Sequence, residues 1–410
     1  LSTSQLSTRK AIVLSPAWPA ETNGSGIAIR SALQMFAEQF REVCFIGLVE
    51  TPFDKKQREE WQKHCPTNGM VRFHHVKITR YAPLVRFLLS YRNALPAVTH
   101  QFHAEDVKQK VFTILKDEIN PAHPPVFIIE DIPIGSYWFD LKQRFRDIPV
   151  IVRSENVAGR VFETIARKSN PLERLLWEHE IRRLLRLEEM LLRSADRFWA
   201  ISDADFNTYE QLYQKSPAGV FGVCLDADQY QASFGDISVV IHLGGADLRK
   251  GRGLAGFIER GWTTVRKHRP DATLLLAGKN SQKYAAAPQG VWGLGFIDDV
   301  QGFLGRGSIF INPQESGSGI KLKSLVALLA GKTLISTEIG IEGVAGTNGV
   351  HFLSASSHQE MGEVIVTMMS DPGAAAKIGR NAREMAAEAY SQNRLRQDTA
   401  QLFADIKQLA

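Results

Sequence analysis

The residues best suited to chemistry lie in one run, Asn312-Pro-Gln-Glu-Ser-Gly-Ser-Gly-Ile-Lys-Leu-Lys323. An apolar stretch ends at Ile311, a Gly-Ser-Gly turn follows, and an apolar helical pattern begins. A helix start presents backbone N–H groups without intrahelical partners and a partial positive charge. Gly317 and Gly319, flanking Ser318 and followed by Ile320, let a ligand approach that backbone closely. Lys321 is expected in the first helical turn, where its charge completes an anion cradle suited to a diphosphate. Lys323, two residues on, is expected to point about 200° away. A glycine turn with solvated lysines is the plainer alternative. Glu315 can accept hydrogen bonds from sugar hydroxyls, or stand as a solvated loop carboxylate.

A second basic run, Gly244-Gly-Ala-Asp-Leu-Arg-Lys-Gly-Arg252, also follows an apolar stretch. Lys250, with Arg249 or Arg252, is placed to reach the same phosphates past Gly245; an ordinary surface loop is the alternative. In the first half, Asn23-Gly-Ser-Gly26 with Arg30 forms a glycine loop after the run Ala11 to Leu14. Glu155 follows the run Pro149 to Arg153 and reads as a cleft-facing carboxylate, or as a surface partner of Arg153 or Arg160. Glu130 and Asp131 end another apolar run and read more simply as caps.

These residues need elements to hold them. Strands are expected at 11–14, 43–46, 126–129, 150–152, 198–201, 239–243, 273–277, 308–311 and 333–336. Helical patterns alternate with them, including 27–40, the charge-rich 172–192, 254–268 and 319–330. Asp371-Pro372 is an N-cap followed by a first-turn proline. Such alternation predicts parallel sheets covered on both faces, an α/β chain of Rossmann-like domains. With 410 residues, two domains fit, residues 1–215 and 216–390, with 391–410 as a C-terminal helix.

The chain is 44% hydrophobic and 23% charged, a globular balance, and its formal charge of +5 does not by itself indicate nucleic acid. Cys44, Cys65 and Cys224 form no CxxC pair, so neither a disulfide framework nor a zinc site is indicated and a reducing compartment is expected. No apolar run approaches a membrane span. From Trp61 to Ala104 there is no Asp or Glu, while Arg80, Arg86, Arg92 and other basic residues interleave with Tyr81, Phe87 and Tyr91. That composition suits an anionic acceptor or a lipid headgroup surface, or a basic face balanced elsewhere in the fold.

Several segments together resemble the group 1 (family 4) glycosyltransferases. Gly317-Ser-Gly-Ile-Lys-Leu-Lys323, Ala327, Ala330-Gly-Lys332 and Thr337-Glu-Ile-Gly-Ile-Glu-Gly343 look like that family's donor-site signature. Arg269-Pro-Asp-Ala272, Ala277-Gly278, Gly295-Phe-Ile-Asp-Asp-Val300, Gly24-Ser-Gly26 with Arg30, Arg153-Ser-Glu-Asn-Val157 and Ser194-Ala-Asp196 through Ser202 keep the family's order. The resemblance implies a GT-B fold: two Rossmann-like domains across a cleft, acceptor on the first and nucleotide sugar on the second, with a last helix returning to the first. It implies transfer with retained anomeric configuration and without a metal or other cofactor. Val326 stands where the family usually has a ribose-binding Glu, Glu155 where a His is common, and Gly245 where Arg is common.

The resulting expectation is a cytoplasmic retaining glycosyltransferase, peripheral at the inner membrane face, of the kind that builds polysaccharides. Its partners would be a nucleotide-sugar donor and a sugar or lipid-linked acceptor, not nucleic acid. Lys250 and Lys321 would stabilise the leaving diphosphate, Glu155 would sit by the sugar, and Glu342 would belong to the donor site. The rival readings are a degenerate glycosyltransferase fold serving as a binding or scaffold protein, and a nucleotide-sugar epimerase or dinucleotide oxidoreductase. The spacing GxGxxxR rather than GxGxxG after the first strand counts against a dinucleotide.

Overall fold

A strand covered on both faces must be apolar along its whole length, and Ala11 to Leu14 and Val126 to Ile129 are accordingly buried throughout. The computed structural model describes residues 9–410 apart from 20–23, 53, 56–57, 60, 62–69, 80, 82, 91–94, 168–170, 246–250, 318, 408 and 410. It divides into two units: Leu1–Cys224 with Leu395–Ala410, and Leu225–Arg394.

The first unit holds β1 (Lys10–Ser15), β2 (Glu42–Val49), β3 (Met70–Lys77), β4 (Val126–Glu130), β5 (Val150–Arg153), β6 (Arg197–Ala200) and β7 (Gly219–Val220). They form one parallel sheet in the order β3-β2-β1-β4-β5-β6-β7. The second unit holds β8 (Asp236–Leu243), β9 (Thr273–Ala277), β10 (Val291–Gly295), β11 (Gly307–Asn312), β12 (Thr333–Ser336) and β13 (Leu353–Ser354). Its parallel order is β10-β9-β8-β11-β12-β13. The two sheets, each interleaved with helices, are the paired Rossmann-like architecture.

The units part later than the expected position near 216, because β7 adds a seventh strand to the first sheet. Ala218 N–H donates to Phe198 O (2.7 Å) and Phe221 N–H to Ala200 O (2.8 Å), which keeps this segment with the first unit. The helix Gln392–Lys407 then supplies Leu395, Leu402, Phe403 and Ile406 to the first unit's core. Phe403 meets Phe36 and Trp199 at 6.2 and 6.1 Å between ring centroids. On the surface Arg396 holds Glu38 with two contacts of 2.7 Å.

Two expected elements differ. Gly24 to Gly26 do not form a loop but the first turn of the helix Gly24–Gln39, since the first helical turn tolerates residues that disfavour a helix interior. The expected helix over 254–268 is broken by a π-helical turn, Phe257–Trp262, between Gly251–Gly256 and Thr263–His268. That turn lies against the backbone of His358, where a Cβ on Gly261 would come within 2.3 Å of the His358 carbonyl.

One buried carboxylate organises the first unit near Glu155. Glu188, on the helix Pro171–Ser194, accepts the N–H groups of Ala158 (2.7 Å) and Gly159 (3.3 Å), capping the helix Ala158–Arg167 from outside its own chain segment. Tyr213 donates its hydroxyl to Glu188 at 3.0 Å, and Tyr209 lies 3.2 Å from it. The Tyr209 hydroxyl also reaches Ser154 Oγ at 2.8 Å, so the chain on both sides of Glu155 is anchored. Burial outweighs these bonds and lifts the Glu188 carboxyl from 4.5 to about 7.

A folded pKa above the unfolded one means the folded state holds a proton that the unfolded state has lost. The stability from Glu188 is therefore full below pH 4.5 and is lost as pH rises through about 7. The shift corresponds to about 3 kcal/mol. Urea unfolding across pH 4.5–8 should show the first unit losing about that much relative to Glu188→Gln, which has no such proton. Parallel profiles for the two proteins would refute the assignment.

Candidate functional site

In an open α/β sheet, ligands bind at the carboxyl ends of the strands where the strand order reverses. In the second unit that point lies between β8 and β11, where the Gly244 and Pro313–Gly319 loops emerge. The glycines here allow loops to nest: a Cβ on Gly278, after β9, would come within 2.3 Å of the Gly244 carbonyl. Asn312, at the end of β11, donates through Nδ2 to Ser324 Oγ (2.8 Å) and to Gly340 O (2.7 Å). Thr337 caps the short helix Glu338–Ile341 by accepting from Gly340 N–H at 3.0 Å.

The chain turns at Gly319, whose φ of +74° favours glycine, and enters the helix Leu322–Leu329. Lys321 is not in the first turn as expected. It is the N-cap residue, with φ −92° and ψ 81°, so helical spacing does not relate it to Lys323. Its ammonium group turns inward to Gly319 O and to Glu342 Oε2 (3.2 Å), leaving the side chain 5% exposed. Two expected site residues, Lys321 and Glu342, are thus brought together as an ion pair.

Lys323 lies where Lys321 was expected. A Cβ on Gly244 would come within 3.6 Å of Lys323 Nζ and 3.4 Å of His242 Nε2. Lys323 therefore leans over the end of β8, at the strand-order reversal. Among the described residues, nothing lies within 4 Å of a Cβ added at Gly245. Arg249, Lys250 and Ser318 lie outside the described residues. Ile320 and Gly317 are half-buried in the turn, and Val326 is buried within the helix, an apolar side chain where a carboxylate was considered.

A pocket of about 370 Å³ opens beside this turn, lined by Gln314, Glu315, Thr337, Ser357 and His358 among others. Arg260, from the π-helical turn, lies 3.1 Å from His358 Nδ1. Arginine can only donate, so Nδ1 accepts and Nε2 carries a proton. Nε2 lies 3.5 Å from Glu315 Oε1. His242, His358 and Arg260 escaped the sequence reading. The one available signal was a histidine inside the otherwise apolar Val239-Val-Ile-His-Leu243.

In the first unit the strand order reverses between β1 and β4. Gly24 is exposed and Gly26 buried at the start of the helix beside it, while Arg30 Nε donates to Pro19 O at 2.8 Å. Glu155 is 8% exposed, with a hydrogen bond from Ser25, and its Oε1 has no hydrogen-bond partner among the described residues. Burial first, then Asp131, push its carboxyl well above the usual range. It does not pair with Arg153, which is bound instead to Glu130 at 2.7 Å, both side chains fully buried. Asp131 holds φ 75° and ψ 152°, a region costing of order 1–3 kcal/mol. Its Oδ1 accepts from Ile132 N–H (2.9 Å) and Glu155 N–H (3.4 Å), which ties the two carboxylate-bearing loops. Burial lifts Asp131 to about 6.

Residues 238–371, from β8 through the helix His358–Ser370, match the family model of the glycosyl transferases group 1. Over 166 residues the chain is 25% identical to an uncharacterized 44.6 kDa protein in the cps region of Klebsiella pneumoniae, a match spanning 38% of this chain and 41% of that protein. Among solved structures it is similar to Anabaena HepE in complex with UDP and glucose, 16% identical over 97% of this chain and 99% of that one, with a TM-score of 0.65. It is also similar to sucrose-phosphate synthase from Thermosynechococcus elongatus, 14% identical over 98% and 100%, TM-score 0.68. S. aureus TarM matches at 10% identity over 98% and 100%, TM-score 0.71. The chain has the GT-B fold, and residues 238–371 of its second unit are similar to the group 1 glycosyl transferases.

The Lys321–Glu342 pair is testable without a ligand. A double-mutant cycle with Lys321→Met and Glu342→Gln should give a coupling energy of about 1–3 kcal/mol in urea unfolding. Additive effects would mean that the two charges do not interact.

Proposed function

We propose that this chain is a retaining glycosyltransferase that moves a sugar from a nucleotide-sugar donor to an acceptor hydroxyl. The observation that carries this reading is the family match, which takes in both loops at the strand-order reversal of the second unit. The HepE structures hold UDP, UDP and glucose, or UDP-glucose, which supports a nucleoside diphosphate as the leaving group. In the reaction the bond from anomeric carbon to phosphate oxygen breaks and the acceptor oxygen bonds to that carbon on the same face. The departing phosphate takes the acceptor's proton, so no protein nucleophile or metal is required. On this reading Lys321, exchanging Glu342 for a phosphate oxygen, and Lys250, which lies outside the described residues, stabilise the negative charge that develops. Glu315 and Glu342 belong to the donor side, and Glu155 handles the transferred sugar. Activity in a cytoplasmic setting fits this chemistry.

Thermal shift with UDP, GDP and ADP and their sugars tests the reading directly. A binder at 100 times its Kd should stabilise the folded chain by about 2.7 kcal/mol. Transfer or donor hydrolysis should accompany binding, and Glu155→Gln should lower turnover while leaving nucleotide affinity within about threefold. Binding without turnover would support a scaffold on this fold, for which Gly245 and the buried Val326 provide the motive. No stabilisation by any of the three nucleotides would overturn both readings.

The acceptor, on the same reading, is anionic or lipid-linked and is met at a membrane surface. Among the described residues no helix is long and apolar enough to cross a membrane. The short helix Pro83–Ser90, inside the acid-free stretch, nevertheless exposes Val85 and Leu88, with Tyr81 just before it. Flotation with anionic vesicles should recover the protein, and reversing Arg80, Arg86 and Arg92 to Glu should abolish recovery. Equal recovery with zwitterionic vesicles, or none with either, would refute the surface.

A further inference from the structure

We propose that Cys44, His74 and Glu118 form a divalent metal site, suited to zinc, toward the amino-terminal ends of the first unit's strands. The site stands apart from the donor chemistry, which belongs to the carboxyl ends of the second unit's strands.

The three ligands come from three elements. Cys44 is the third residue of β2, His74 lies on the edge strand β3, and Glu118 is the last residue of the helix Glu105–Glu118. The parallel register pairs Cys44 with Arg72 and Ile46 with His74. Residues two apart on a strand share a face, so Cys44 and His74 leave the same side of the sheet. The end of the helix comes down on that side. One ligand atom from each residue then lies within 4.8 Å of the other two. Cysteine spacing could not show this site, because strand register and a helix end assemble it.

Thiolate sulfur, imidazole nitrogen and carboxylate oxygen are all zinc donors, at about 2.0–2.3 Å from the ion. Around one tetrahedral ion such atoms stand roughly 3.3–3.7 Å apart. His74 Nε2 is 3.1 Å from Glu118 Oε1, so a small movement admits an ion between them. The other bonds of Glu118 leave that place open. Lys10 and Arg72 both donate to Oε2, while Oε1 faces His74. Lys10 also donates to the Glu118 carbonyl at 3.1 Å, which fixes the helix end. Hydrogen bonds of this kind orient a ligating carboxylate. Lys10 and Arg72 repel a dication, and Glu42, paired with both, offsets them together with the Cys44 thiolate. Burial and Glu118 push the Cys44 thiol up to about 12. Binding therefore exchanges the thiol proton for the ion and releases that proton to solvent. The imidazole keeps its own proton on Nδ1 while Nε2 binds. The His74 side chain is 32% exposed, which gives the ion a way in and leaves the fourth position to water.

Titration of the full, untagged chain with Co2+ and then Zn2+, after reduction and removal of metal by a chelator, tests this. One equivalent of Co2+ should bind and give a sulfur-to-metal charge-transfer band, which Zn2+ should abolish by displacement. Cys44→Ala should lose the band. His74→Ala should weaken binding by at least about tenfold, the loss that removing even an outer partner of a ligand brings. Cys224→Ala, and Cys65→Ala outside the described residues, should keep both band and affinity. Zn2+ should raise the melting temperature of the wild type but not of Cys44→Ala, since an ion held only by the folded state stabilises it. His74 lies on an edge strand and is part-exposed, so its variant keeps the test open should Cys44→Ala fail to fold. A band that survives in Cys44→Ala, unchanged Co2+ affinity in His74→Ala, or no stoichiometric binding by the wild type would overturn the proposal.

Discussion

The side-chain amide of Asn312 holds three segments of the second unit in register. It sits at the end of β11, and its two N–H bonds reach Ser324 in the helix that follows and the Gly340 carbonyl after β12. Ser324 Oγ donates to that same carbonyl at 2.6 Å, closing a small buried triangle. Buried hydrogen bonds of this kind rigidify what they join, here through Nδ2 alone, since Asn312 Oδ1 has no hydrogen-bond partner among the described residues. The turn carrying Gly319 and Lys321 is strung between two corners of that triangle. The direction of Lys321, and through the helix that of Lys323, follows from it.

The first unit solves a related problem with charge. Its strand-order reversal gathers Glu130, Asp131 and Glu155 against a single guanidinium, that of Arg153. Arg153 is fully committed to Glu130 and to the carbonyls of Phe221 and Gly222, both at 3.3 Å. Burial and mutual repulsion raise the other two carboxyls, Asp131 to about 6 and Glu155 well above the usual range. A neutral acid donates a hydrogen bond where a carboxylate would only accept one. This makes Glu155 a different recognition element from the histidine common at that place.

Much of this was legible in the sequence, and the failures are informative. Continuous apolar runs marked the central strands, because a strand buried on both faces has no other composition available. The strand β3, carrying Arg72, His74, His75 and Lys77, lies at a sheet edge and wears the polar residues that edges tolerate. The two-residue strands β7 and β13 have no pattern to read. The glycine turn before Lys321 was visible, but the lysine's direction was not. It depended on whether position 321 already had helical dihedrals, and the N-cap geometry decided otherwise. Glu188 and His358 were invisible for another reason: their roles are set by partners 30 and 98 residues away.

The helix Gln392–Lys407 carries a consequence for how the chain is made. Phe403 and its neighbours complete a core otherwise built from Phe36, Trp199 and Phe221, yet they follow the whole of the second unit in sequence. At synthesis rates of about 5–20 residues per second, the gap from Leu225 to Arg394 corresponds to on the order of ten seconds or more. Through that interval the nascent first unit presents an aromatic groove with no occupant. Exposed apolar surface of that kind makes a folding intermediate prone to aggregation, and the first unit's core closes only when the last helix arrives.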